Sequence, residues 1–80
     1  FLAQSEDIIK TLRENCEDGE SAAWTEAAHK FKGGAAMIRA EKLRALCEQA
    51  QRMEDAPAKD RQGMLEKILA SYNEVKSFLS

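Results

Sequence analysis

Eighty residues are room for one domain and no more, and a chain this short buries only about 60% of the surface its unfolded form exposes, so its core is thin. Apolar residues supply 44% of the chain, aromatics only 6%, and four glycines with a single proline, Pro57, are too few for a loop-rich β fold. The net charge of −2 alternates in sign along the chain without a basic stripe, which excludes nucleic acid as the expected partner.

No apolar run approaches the ~20 residues of a membrane span and no signal-peptide pattern is legible, so a cytoplasmic place and no membrane contact are expected. The chain opens on Phe1 rather than Met, and is expected to be a piece of a longer protein or a trimmed chain.

Hydrophobic spacing predicts four helices. The first covers about 2–16, with Leu2, Ile8, Ile9, Leu12 and Cys16 on its apolar side; Asp18-Gly19 then signals a turn. The second covers about 21–38, where Ser21 offers a hydroxyl to an orphan N–H of the first turn. Trp24, Ala28, Phe31, Ala35 and Ile38 follow steps of four and three, the spacing of a helix packed in a bundle. The third covers about 41–54, with Leu43, Leu46, Cys47, Ala50 and Met53 inward, and Asp55-Ala56-Pro57 breaks it. The fourth covers about 58–79 on Leu65, Ile68, Tyr72, Val75 and Leu79, with Gly63 weakening its early turns. Short connections make consecutive helices antiparallel neighbours, so the expected fold is all-α, one up-down-up-down four-helix bundle over residues 1–80. Both cysteines, Cys16 and Cys47, fall on apolar stripes and read as small buried hydrophobes. With one His and no CxxC, no metal site is expected.

Periodicity gives a fold and no function. Chemistry concentrates in Ala27-Ala28-His29-Lys30-Phe31-Lys32-Gly33-Gly34-Ala35-Ala36. His29 follows a core position and lies beside the apolar stripe, partly in solvent. Gly33 is one turn further on the same face, and Ala22 and Ala36 lie seven residues away on either side, so the face around His29 is nearly bare. Two glycines in mid-helix cost about 0.8–1 kcal/mol each relative to Ala. Close approach of another surface to His29 is a physical reason to accept that cost. Lys32, three residues on, can reach the same space, whereas Lys30 points about 100° away. An imidazole with an ammonium nearby and no bulky neighbour suits an incoming phosphoryl group: the ring nitrogen is the nucleophile and the lysine offsets the charge. An unperturbed imidazole, with a pKa near ~6.5, is largely neutral at neutral pH, as attack requires. The competing view is an inert surface His, a glycine pair serving a kink or tight helix crossing, and two solvated lysines.

At these residues the chain resembles the histidine-containing phosphotransfer (HPt) domain family. That family's pattern is roughly His-x-Leu-Lys-Gly-x-Ala/Ser, then Leu-Gly-Ala-x-x-Leu, then a Cys and a Leu-Glu pair. The corresponding residues are His29-Lys30-Phe31-Lys32-Gly33-Gly34-Ala35, then Ile38-Arg39-Ala40-Glu41-Lys42-Leu43, then Cys47 and Ala50-Gln51. The resemblance implies that His29 is the phosphoacceptor, with Lys32 as its electrostatic helper and Gly33 as its steric one. It implies response-regulator receiver domains as partners, a hybrid sensor histidine kinase being a candidate source. The aspartyl phosphate, a Mg²⁺ ion and a lysine would come from the receiver. The chain would then be a phosphocarrier acting as a monomer, with no cofactor of its own and no independent catalytic activity.

Three departures bear on this. Phe31 for Leu is conservative. Arg39 stands where the family turns the corner between its second and third helices with Gly; a non-Gly residue in a left-handed conformation costs about 1 kcal/mol, so another turn shape is expected. Gln51 replaces a Glu, and an amide opposite His29 could hydrogen-bond the imidazole or a phosphoryl oxygen. Two rival readings carry weight: a phosphorylation-inactive docking bundle of the same shape, and a histidine kinase dimerisation domain. The latter places an acid directly after its His and a Pro soon beyond, where this chain has Lys30 and no Pro before Pro57. No Ser/His/Asp or paired-carboxylate constellation supports an unaided hydrolase.

Overall fold

Ser21 takes extended backbone (φ −146°, ψ 103°) and its hydroxyl oxygen accepts the Trp24 amide at 3.2 Å, which starts a helix at Ala22. The computed structural model describes residues 2–53 and 55–79. Its elements are α1 (Leu2–Glu14), β1 (Gly19–Glu20), α2 (Ala22–Met37), α3 (Glu41–Gln51), β2 (Asp55–Ala56) and α4 (Ala58–Leu79). The four expected helices are present and the class is all-α. α1 packs against α2 and α4, and α3 against α2 and α4, so the helices close a ring around one core. Their long dimension, 36 Å, is set by the 22 residues of α4 at about 1.5 Å each.

Two helices stop earlier than the spacing predicts. α1 ends at Glu14 instead of Cys16: the Asn15 backbone amide is shared between the Thr11 and Leu12 carbonyls, at 3.1 and 3.3 Å, and the Asn15 side-chain amide also donates to the Thr11 carbonyl at 2.8 Å, closing the last turn. α3 ends at Gln51 instead of 54; Glu54 lies outside the described residues. A continuing helix would offer the Met53 carbonyl to the amide of residue 57, and Pro57 has none. Arg61 fills that vacancy, its Nη2 donating to the Met53 carbonyl at 2.9 Å. The chain leaving α1 and the chain leaving α3 then pair as a two-residue antiparallel ladder, Gly19 opposite Ala56 and Glu20 opposite Asp55. The Asp18 carboxylate accepts the Ala58 amide at 2.6 Å and so caps α4 from 40 residues away.

The turn between α2 and α3 differs from the expected one. Arg39 itself takes the left-handed conformation, with φ 60°. The Arg39 amide donates to the Ala36 carbonyl at 3.1 Å and the Ala40 amide to the Ala35 carbonyl at 2.9 Å. This is the paired 5→2 and 6→1 closure of a Schellman motif, built on arginine where glycine is usual. The two bonds, and the packing of Ala40 on the core, hold the strained residue in place.

The core follows the predicted stripes, except that Ile38, expected inward, is the C-cap of α2 and only half-buried, because the chain turns there into the Arg39 corner. Leu12, Trp24, Phe31, Leu43, Cys47 and Ile68 are fully buried, each large apolar side chain contributing about 1.5–3 kcal/mol. The Phe31 and Tyr72 rings meet edge to face at 5.8 Å. Burial pushes the Cys47 thiol up to about 12, and Cys16 packs half-buried against the same core; both are free thiols. The stripe of α4 ends one step early, because Leu79 is 49% exposed while Val75 still packs on the core. The Leu2 side chain, expected on the apolar side of α1, lies outside the described residues.

Candidate functional site

His29 sits on α2 directly after the buried Ala28 and is itself exposed. The residues one and two turns along its face, Ala22, Gly33 and Ala36, are exposed as well. A Cβ added at Gly33 would meet nothing within 4 Å. No helix crossing among the described residues therefore requires that glycine, and the bare face is open to solvent. Beside the imidazole lies a shallow open cleft of about 580 Å³, whose lining includes the small residues Ser21, Ala22 and Thr25.

Gln51, the last residue of α3, reaches His29 from the neighbouring helix. Its amide Nε2 lies 3.3 Å from the ring Nδ1, with the amide N–H donating to the ring nitrogen. Its carbonyl Oε1 is buried and has no hydrogen-bond partner among the described residues. The contact occupies one imidazole nitrogen and leaves Nε2 as the one not engaged by Gln51.

The two lysines part company as their helical angles require. Lys30 pairs with Glu26 at 3.4 Å and borders the groove between α1 and α2. Lys32 is half-buried on the α3 side and lines a second cleft, about 300 Å³, with Thr25, Glu48, Gln51 and Arg52. Gln51 lines both clefts, so Lys32 and His29 flank the same amide. Within the second cleft Glu48 is held by arginines from both sides, Arg52 at 3.3 Å and Arg44 at 3.7 Å. On the other side, Glu20 and Glu26 rim the His29 cleft. The structure thus brings His29, Gln51 and Gly33 onto one surface and sets Lys32 one cleft away. Among the described residues no group of three or more His, Cys, Asp or Glu side chains could hold a metal ion, and no helix is long and apolar enough to cross a membrane.

The spacing did not single out two residues that hold the site's frame. Trp24, read only as core, donates its indole N–H to the Ala50 carbonyl at 2.9 Å, next to Gln51. Arg61 is fully buried. A signal for Arg61 was present: it lies four residues before Leu65, one further step of the stripe 65, 68, 72 and 75.

A protein-family model described as Hpt domain matches residues 1–78 of the chain. No curated protein and no solved structure matches it.

Proposed function

This chain belongs to the Hpt domain family, whose members serve phosphotransfer in two-component signalling, and we propose that it is a phosphorelay module that accepts a phosphoryl group on His29 from a receiver domain and donates it to another. The observation that carries this reading is an exposed imidazole with one nitrogen engaged by Gln51, on a helix face kept free of side chains by Ala22, Gly33 and Ala36.

Attack requires a lone pair on Nε2, hence a neutral ring with its proton on Nδ1. A primary amide presents either its oxygen or its nitrogen to a partner by half a turn about its terminal bond. In the reactive form the Gln51 amide is turned over, so that Oε1 accepts the Nδ1–H. Nε2 then attacks phosphorus as the bond to the aspartyl oxygen breaks, and that electron pair leaves with the aspartate as carboxylate. The ring gains positive charge as the new bond forms, and the Gln51 carbonyl, facing Nδ1–H, stabilises it more in the transition state than before. Lys32 offsets the phosphoryl charge from the α3 side, and Gly33 leaves room for the incoming surface. The receiver supplies the aspartyl phosphate, Mg²⁺ and its own lysine; this chain supplies the nucleophile and a docking face, and needs no cofactor of its own. It acts as a monomer and in the cytoplasm, where the reading places its partners.

The helices run up-down-up-down in this reading. Three contacts support it: Trp24 near the start of α2 meets Ala50 at the end of α3, Lys42 at the start of α3 meets Glu74 late in α4 at 3.5 Å, and Glu6 early in α1 meets Lys76 late in α4 at 3.6 Å.

The test is incubation with a panel of phosphorylated receiver domains, followed by mass spectrometry. Acid-labile phosphate on His29, absent from a folded His29→Gln variant, is the expected result. Label that persists in His29→Gln overturns the assignment to His29, and a wild-type chain that takes up none from any receiver overturns the proposal in favour of a docking bundle.

A further inference from the structure

Arg61 is a buried cation with no place in the transfer step. Its guanidinium donates to two backbone carbonyls from different loops, Glu17 after α1 and Met53 after α3. It also lies 5.7 Å from the centre of the Trp24 ring, a cation–π contact. Burying a guanidinium is expensive, and an apolar residue of similar volume often serves stability as well or better. Stability alone is therefore a weak reason for this arginine.

Its contacts converge on the end of α3. Gln51 is preceded by Ala50, whose carbonyl accepts the Trp24 indole, and followed two residues later by Met53, whose carbonyl accepts Arg61. The Arg61 guanidinium lies over the Trp24 ring, so the two anchors brace one another. The last turn of α3 is tight here, with the Met53 amide donating to Ala50 at 3.1 Å. The segment carrying Gln51 is thereby pinned on both sides within four residues. Without these bonds the helix end would fray, as helix termini do, and a long amide side chain on a fraying turn would not hold a 3.3 Å contact.

We propose that Arg61 is a positioning residue for His29: by gripping the Met53 carbonyl and bracing Trp24, it fixes the end of α3 so that Gln51 engages Nδ1 and one ring tautomer prevails. The proposal deepens the phosphoacceptor reading of His29 and rests on it only for its consequence for rate.

The experiment uses the ¹⁵N-labelled chain and reads the His29 ring nitrogens by NMR, beside thermal melting and phosphorylation by phosphoramidate, where ammonia leaves as Nε2 takes the phosphoryl group. Arg61→Met, folded, should shift the ring nitrogens toward the tautomer mixture of Gln51→Ala and slow phosphorylation by a similar factor, roughly tenfold for one lost hydrogen bond. Adding Arg61→Met to Gln51→Ala should change neither further. Arg61→Lys, which keeps the charge but has no fork to span two carbonyls, should fall between. Ring shifts that stay at wild-type values in folded Arg61→Met overturn the proposal, as do additive effects in the double variant. If Arg61→Met does not fold, Arg61→Lys decides alone, and wild-type ring shifts there overturn it. A wild-type chain that accepts no phosphoryl group would count against the phosphoacceptor reading, whereas the ring-nitrogen comparison needs no phosphoryl group.

Discussion

Gln51 and His29 stand 3.3 Å apart across the α2–α3 interface, amide nitrogen to ring Nδ1, although they are 22 residues apart in sequence. The amide also carries a buried oxygen without a partner among the described residues. A buried unpaired acceptor costs about 1–3 kcal/mol, so this side chain is poorly explained as a stabilising device and better as one that serves the ring.

Substitution at Gln51 separates acceptance from donation. Gln51→Ala removes the orienting bond and the unpaired oxygen together, so melting should stay level or rise while transfer slows roughly tenfold. Gln51→Glu can only accept when ionised. If the reactive ring carries its proton on Nδ1, Gln51→Glu should transfer far better than Gln51→Ala; if it transfers worse, the amide acts as a donor and the proposed tautomer is wrong. Single-turnover transfer on matched preparations makes the comparison.

Lys32 and Lys30 form a matched pair with different surroundings. Lys32 lines the cleft that shares Gln51 with the His29 site, while Lys30 is turned to α1 and paired with Glu26. Lys32→Ala should shorten the lifetime of phospho-His29 or slow its formation, with little change in melting. Lys30→Ala loses only an exposed i,i+4 pair, about 0.3–0.5 kcal/mol, and should leave transfer near wild type. Equal losses from both would mean that general positive charge matters and helix geometry does not.

Much of this architecture is legible in the sequence because local rules and the global fold agree. Trp24, Ala28, Phe31 and Ala35 give the stripe of α2, Ser21 its cap, and His29 with Gly33 its bare face. What escapes is set by contacts between distant segments. The Gly19–Glu20 and Asp55–Ala56 ladder is too short to leave a periodic pattern, and Asp18 caps a helix 40 residues ahead. Arg61 sits on the α4 stripe, but a charged side chain on a stripe reads as an interruption until its two carbonyl acceptors are known. Gln51 could be placed opposite His29 from sequence; its unpaired oxygen could not.

Arg39 is the clearest case of a local rule overridden. The family resemblance favours Gly at this corner, and the left-handed φ of 60° is one that arginine adopts at a cost. Two Schellman bonds hold it there. Arg39 is exposed, so Arg39→Gly loses no packing and should stabilise the chain by about 0.5–1 kcal/mol, less the added entropy of Gly in the unfolded state. A midpoint that rises in urea with an unchanged slope is the expected result. A clear loss of stability would mean that the arginine side chain makes an interaction worth more than the backbone strain.

Gly33 and Gly63 allow access to be separated from folding. Both are helical, and a Cβ added at either meets nothing within 4 Å. Helix propensity therefore predicts that Gly33→Ala and Gly63→Ala each stabilise by up to about 0.8–1 kcal/mol. Their effects on transfer should differ. Gly63 is on α4, while Gly33 is one turn from His29 on the exposed face. Gly63→Ala should leave transfer unchanged. Gly33→Gln should keep most of the gain in stability yet place a flexible amide where a receiver must approach to reacting distance, so transfer from a receiver should fall steeply. The small donor phosphoramidate gives the internal control, because it needs little room: its reaction with Gly33→Gln should fall much less. Equal losses with both donors would mean that the substitution disturbs the imidazole itself. A Gly33→Gln chain that still exchanges phosphate with its receiver at the wild-type rate would show that the bare face is not the docking surface.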